Sequence, residues 1–221
     1  MSKNVIITFI LGMLIISGAR ASEVYIEQAG STSTIDITQT GDGNRVGSLS
    51  EPTTINGTGT DLDITQTGSS NEIDIETGSA AASSDIEIVQ DGSSNIADID
   101  LGSVDSTILN IDIDGDSNET TLCGTLTTNA GSATSAVCGS DMSQNDLGVD
   151  IDIVGDSNKV AVARSGVAGT SGTTEVTVNI GGGGVASNSN VVNIDQSSTT
   201  ESGIVDLSID GSSNAVNITQ Q

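Results

Sequence analysis

The side chains best able to do chemistry in this chain are carboxylates: 30 Asp and Glu stand against 5 Lys and Arg, and there is no His. The densest group, "DIDGDSNE" at residues 112–119, has the composition of a calcium loop. Its spacing argues otherwise. An EF-hand loop carries Gly at its sixth position and a bidentate Glu at its twelfth, whereas Gly115 falls at the fourth position of this run. The nonapeptide calcium β-roll follows GGxGxDxUx, and the glycine run at 181–184 is followed by Val185 with no Asp in place. Diffuse calcium binding by the acidic surface stays open. Paired carboxylates also cleave glycans as acid and base, but such sites bring aromatic or basic groups to hold the sugar. Here there is one Tyr, one Phe and no Trp. No nucleophile–base pair or metal cluster of the usual kinds is present, so the chain is expected to be no enzyme, with no catalytic residue, cofactor or resident metal.

Two cysteines remain, Cys123 and Cys138, and their chemistry depends on the compartment. Lys3 gives a positive start, residues 5–16 form a mostly apolar run of 12, and "ARA" at 19–21 is a small-x-small cleavage site. That run is short of the roughly 18 apolar residues read as a membrane span. The expectation is a signal peptide at 1–21 and an exported mature chain at 22–221, with no membrane span and no lipid anchor, since no Cys follows the cleavage site. Outside the cytoplasm a Cys123–Cys138 disulfide is the default, with a pair of free thiols as the alternative. A closed loop of about 15 residues is worth roughly 3 kcal/mol in the chain-entropy model. The net charge of −25 makes nucleic acid and anionic membranes poor partners.

Acidity with so few aromatics ordinarily signals disorder. Periodicity argues against it. A Gly-x-x-Asn turn recurs, at Gly41 and Asn44, Gly68 and Asn71, Gly92 and Asn95, Gly115 and Asn118, Gly155 and Asn158, and Gly211 and Asn214, with a longer "GGGGVASNSN" arc ending at Asn190. Before each turn, the second, fourth and sixth positions are Gln39, Ile37, Ile35; Gln66, Ile64, Leu62; Gln90, Ile88, Ile86; then Ile113, Ile111, Leu109; Ile153, Ile151, Val149; and Ile209, Leu207, Val205. After the Asn, the second and fourth are Ile73 and Ile75, Ala97 and Ile99, Val160 and Val162, Val192 and Ile194, Val216 and Ile218. Strand side chains alternate between faces, so each unit offers two short strands with one apolar face each. A unit this small cannot bury that face alone, and stacking buries it.

The spacing therefore predicts an all-β fold: a β-solenoid of about seven strand-turn-strand coils stacked in cross-β register. The first five turn glycines lie 27, 24, 23 and 40 residues apart, so the long interval marks an insertion at about 123–148, around the cysteines. Residues 24–37 read as a degenerate first coil with Ser33 at the Asn position. Gly and Asn tolerate positive φ at the bend. The turn Asn and the first three Gln also have inward parity, where a lone amide is expensive but a column of identical amides is self-satisfying. Asn44, Asn71, Asn95, Asn118, Asn158, Asn190 and Asn214 would form one ladder, and Gln39, Gln66 and Gln90 a shorter one. The plainer alternative is that the Asn residues only shape the turn.

Gln-x-Gly-x-x-Asn followed by alternating aliphatic positions, complete at Gln39/Gly41/Asn44, Gln66/Gly68/Asn71 and Gln90/Gly92/Asn95 and trailing into "GSSNAVNITQ" at 211–220, resembles the curlin repeat of bacterial curli subunits. Later copies keep Gly and Asn but carry Ile113, Ile153 and Ile209 for the first Gln. The resemblance implies an exported amyloid subunit of an extracellular fibre for surface adhesion and biofilm matrix. Its partners would be further copies of itself, other curlin subunits or a nucleator, and an outer-membrane secretion channel.

No polar cap is evident at either end of the repeat array, which also favours end-to-end assembly. Outward on each coil stand Asp36, Asp63, Glu87, Asn110, Asp150 and Asp206, a column of mostly like charges that opposes stacking. Assembly is thus expected to be promoted by acid, salt or divalent cations. The alternative is a non-polymerising acidic surface adhesin or calcium-stabilised solenoid, and a persistently monomeric protein would favour it.

Overall fold

The computed structural model describes residues 23–47, 52–68, 70–77, 83–92, 94–101, 106–115, 117–122, 148–155, 157–165, 173–181, 189–197, 202–211 and 213–220. The leader, Cys123, Cys138 and the insertion up to residue 147 lie outside the described residues.

The strands run, in chain order, β1 (Glu23–Val24), β2 (Glu27–Ala29), β3 (Ser33–Thr40), β4 (Arg45–Val46), β5 (Thr53–Asn56) and β6 (Thr60–Thr67). They continue with β7 (Ile73–Thr77), β8 (Asp85–Asp91), β9 (Ala97–Leu101), β10 (Ile108–Asp114), β11 (Thr120–Thr121) and β12 (Gly148–Val154). Last come β13 (Ala161–Ser165), β14 (Thr173–Ile180), β15 (Val192–Ser197), β16 (Ser202–Ile209) and β17 (Val216–Gln220). Each of the pairings is parallel. The first sheet stacks β3, β6, β8, β10, β12, β14 and β16 in chain order. The second stacks β1, β4, β7, β9, β11, β13, β15 and β17, with β2 and β5 completing the rungs begun by β1 and β4. The molecule is a β-solenoid.

Period-2 patterning explains the register. In β10 exposed and buried residues alternate without a break, because a slip of one residue would turn every Ile to solvent. Ile37, Ile64, Ile88, Ile111, Ile151, Val178 and Leu207 consequently form one column through the first sheet. In the second sheet Val46, Ile73, Ala97 and Val192 are fully buried. Burying each such side chain is worth about 1.5–3 kcal/mol, and the column repeats that gain on every rung up to the last, where Leu207 is only partly buried. Two cross-rung ion pairs, Arg45–Glu72 at 3.1 Å and Lys159–Glu119 at 3.0 Å, are partly exposed and add little.

The irregular first interval has a local cause. Val46 pairs with Ile73 and Thr53 with Ile75, so Asp74 alone spans a distance for which the preceding rung uses residues 47–52. Gly47 starts that excursion at φ +69, and a Cβ there would lie 2.5 Å from the Asp74 carbonyl oxygen. Glycine is needed on both counts.

Ser33 departs from expectation. It opens β3 opposite Thr60, in the connection from second sheet to first, and therefore on the edge opposite the Asn turns. The first Asn-type turn is the one at Gly41, and the segment before Ser33 is a second-sheet rung.

Candidate functional site

The stacked turns bring the predicted amides together. Asn71 Nδ2 donates to Asn44 Oδ1 at 3.5 Å, Asn95 to Asn71 at 3.0 Å, Asn118 to Asn95 at 2.9 Å, Asn158 to Asn118 at 2.8 Å and Asn190 to Asn158 at 2.8 Å. Asn214 donates to Asn190 in the same way. The ladder passes without interruption across the 40-residue interval containing the cysteines. The second amide hydrogen of Asn118 and Asn158 closes their own turns on the carbonyls of Gly115 and Gly155. The Asn side chains therefore act both in the turn and along the stack.

The glutamine column works by the same rule. Gln66 donates to Gln39 Oε1 at 2.7 Å and Gln90 to Gln66 Oε1 at 3.1 Å. Each of the three also donates to a backbone carbonyl six residues on, those of Arg45, Glu72 and Ile96. Above Gln90 the column changes to Ile113, and Gln90 Oε1 is left buried without a hydrogen-bond partner. Both ladders have direction, because from the second rung on each ladder amide donates to the oxygen of the rung before it, whereas Asn44, on the first turn, donates to the Thr67 carbonyl of the next rung.

The turn glycines are required by this spacing. A Cβ on Gly68, Gly92, Gly115 or Gly155 would sit 1.8, 1.4, 1.4 or 1.9 Å from the carbonyl oxygen of the turn glycine one rung earlier. Gly41, on the first turn, has nothing within 4 Å of the same position. Gly211 opens the last turn, following Asp210, whose amide bonds to the Ile180 carbonyl.

On the outer face of the first sheet, Asp36, Asp63, Glu87, Asn110, Asp150, Thr177 and Asp206 occupy one column. Partial burial, then neighbouring carboxylates, raise the pKa of Asp63, Asp112 and Asp150. On the second sheet Asp74 and Asp98 are adjacent across rungs and 8% and 5% exposed. Burial, then Glu72, Glu76 and Asp100, push Asp74 up to about 6. Outward parity concealed these two, since nothing in a period-2 pattern distinguishes a covered outer face from an open one. Gln28 was missed too: it is buried in the second sheet and donates to Gly30 O and Ser33 Oγ, both at 3.0 Å. Its place in "VYIEQ", two residues after Ile26, was the available signal. Among the described residues no cluster of three or more His, Cys, Asp or Glu is arranged to hold a metal ion, and no helix is long and apolar enough to cross a membrane.

The last rungs expose what the others bury. Val216 and Ile218 are 47% and 43% exposed, whereas Val192 and Ile194, their partners one rung earlier, are 0% exposed. Asn214 is exposed and Asn190 buried. Among the described residues, β16 pairs only with β14 and β17 only with β15, so each presents one open edge. Comparison with family models, with curated proteins and with solved structures finds no match.

Proposed function

We propose that this chain is an exported structural subunit of an extracellular, curli-like amyloid fibre that grows end to end and serves surface adhesion and biofilm matrix. The observation that carries the reading is the uncovered end of the core. Val216 and Ile218 continue columns that are fully buried one rung earlier, and β17 offers an open parallel edge beside them. An exposed apolar edge strand is a template for further pairing, and a rung of the same sequence pattern on another copy is the surface that matches it best. The directional Asn ladder adds polarity: one end presents the Asn214 carbonyl as acceptor, and the Asn44 turn begins the ladder at the other.

In this reading the chain is no enzyme and needs no cofactor. Its partners are copies of itself, with other curlin-type subunits, a nucleator and an outer-membrane channel as what the resemblance adds. The acidic outer columns hold assembly back until acid, salt or divalent cations reduce their repulsion.

The test is electron microscopy with fibre diffraction on residues 22–221, at neutral and mildly acidic pH, with and without calcium. Filaments with a meridional spacing of about 4.8 Å are expected. A β-rich monomer under every condition would replace this reading with that of an acidic surface adhesin.

A further inference from the structure

End-to-end stacking, on which this inference rests, meets a mismatch between the two sheets. Among the described residues the first sheet has seven rungs, whereas the second has one more, because β1 with β2 precedes β3 and β17 follows β16. If two copies stack with every strand retained, β17 meets β1 and β2 of the next copy. The first sheet is then left with a gap one strand wide, about 4.8 Å per missing strand spacing. Neither β16 nor β3 would be paired across it. Closing the gap requires one second-sheet strand to leave its rung.

Sequence and register identify which one. The N-terminal rung reads Val24-Tyr25-Ile26-Glu27-Gln28 and the C-terminal rung Val216-Asn217-Ile218-Thr219-Gln220, so both follow V-x-I-x-Q. Val24 lies opposite Val46 and Gln28 opposite Ile55. Following the register up the second sheet from Val46 leads to Val216 at the same column position. The two segments are therefore interchangeable on the lower edge of β4 and β5. They are not held equally. In backbone pairing the N-terminal rung is broken into strands of two and three residues on two separate partners, β4 and β5, although its Val24 and Ile26 are partly buried where Val216 and Ile218 are exposed. β17 pairs through all five of its residues with β15.

We propose that Glu23–Ala29 is an exchangeable plug: it fills, within its own chain, the rung that β17 of a second copy takes when two copies join. With the plug displaced, β17 lies under β4 and β5 of the next copy and β16 lies under its β3. Val205 then meets Ile35, Leu207 meets Ile37, and the Asn44 amide donates to the Asn214 carbonyl. Both sheets run on with equal numbers of rungs per copy. Gly41, open in the single molecule, comes to lie over Gly211 as Gly92 lies over Gly68.

The experiment locks the plug in place. Glu27 and Thr54 are outward-facing partners on adjacent rungs, so Glu27→Cys with Thr54→Cys, in a Cys123→Ser, Cys138→Ser background, forms a disulfide that prevents displacement. Elongation is measured on preformed wild-type filaments with the lock oxidised and reduced, with the unlocked background protein under both conditions as control. Loss of elongation when oxidised and its restoration on reduction is the expected result. Equal elongation in both states overturns the plug while leaving the fibre reading intact. Failure of the wild-type chain to form any filament overturns both.

Gly41→Val gives an independent reading should the cysteine variants fold poorly. It strains the backbone at φ +128, but a Cβ there meets no atom of its own chain, so it is expected to keep the single molecule's β-sheet signature and to block addition at the face it occupies. Unimpaired growth of Gly41→Val would also overturn the proposed joint.

Discussion

Asn95 and Asn214 occupy the same position of the same ladder, yet Asn95 is fully buried and Asn214 exposed. The same holds for Ile194 and Ile218. Gly92 is hemmed in by the carbonyl below it, whereas Gly41 has open space there. Interior and terminal rungs thus differ by what lies above and below them, and only slightly by sequence. Stability here is a nearest-neighbour property. An interior residue is satisfied because its neighbour repeats it, and a terminal residue is left incomplete by the same rule.

The largest expected effect contrasts two glycines. Gly92→Ala places a Cβ 1.4 Å from the Gly68 carbonyl oxygen, so two rungs must part. Destabilisation of more than about 3 kcal/mol is expected, in the range of severe backbone and packing lesions. Gly41→Ala meets no atom, and its cost is confined to the backbone at φ +128, about 1–3 kcal/mol. Denaturant midpoints of the two variants measure the difference, and equal midpoints would break the comparison.

A smaller contrast separates two asparagines. Asn95→Ala removes a group that both donates to Asn71 and accepts from Asn118, leaving two buried partners unmatched at about 1–3 kcal/mol each. Asn214→Ala removes one link at a solvent-exposed end, for roughly 1 kcal/mol or less. Urea titrations of both should show the interior variant well below the terminal one. If the Asn residues only shaped their own turns, the two losses would be similar.

That contrast bears on what the sequence made legible. The first sheet was readable because its inward positions are Ile, Leu or Val with unbroken alternation, and because Gly and Asn punctuate every rung. Fold class follows from those two signals together. The second sheet was less so, since Thr53 and Thr120 stand at inward positions where other rungs carry Ile, Val or Ala, and both hydroxyls are buried without a partner. The excursion at 47–52 also breaks its spacing. Ser33 was misplaced for a related reason: Gly-Ser-Thr-Ser at 30–33 has turn composition, but composition does not say which edge of the solenoid a turn occupies. The buried pair Asp74 and Asp98 left no trace in the pattern, because outward parity alone does not say whether a side chain is covered.

Charge provides the next test. Asp74 sits on an interior rung with a pKa of about 6, raised from 3.8 chiefly by burial. Between those values the folded chain holds a proton that the unfolded chain has released, so stability falls as pH rises through that window and recovers on acidification. The site accounts for no more than about 3 kcal/mol. Asp74→Asn is expected to raise stability at neutral pH and to flatten the pH dependence of the denaturant midpoint between about 4 and 6. An unchanged slope in the variant would assign the acid response to the outer columns of the first sheet, where Asp63, Asp112 and Asp150 shift in the same direction.

The finest contrast lies inside the glutamine column, which has an interior and an end of its own. Gln66 accepts from Gln90 and donates to Gln39, so Gln66→Leu breaks the ladder both above and below. A loss of about 2 kcal/mol or more is expected from the two broken links. Gln90 is different, because its own Oε1 already has no partner beneath Ile113. Gln90→Leu transfers that deficit to Gln66 Oε1, and the Ile96 carbonyl it releases still accepts from the Ile73 amide. It also extends the aliphatic column that begins at Ile113 down by one rung. The net change should stay within about 1 kcal/mol, although both residues are 0% exposed and of one type. A side chain's contribution would then be set by its distance from the end of its own ladder, and burial alone would not predict it. Thermal or urea midpoints that fall equally for both variants would show that each glutamine is held mainly by its backbone carbonyl, at Glu72 for Gln66 and Ile96 for Gln90, and that the link between rungs is secondary.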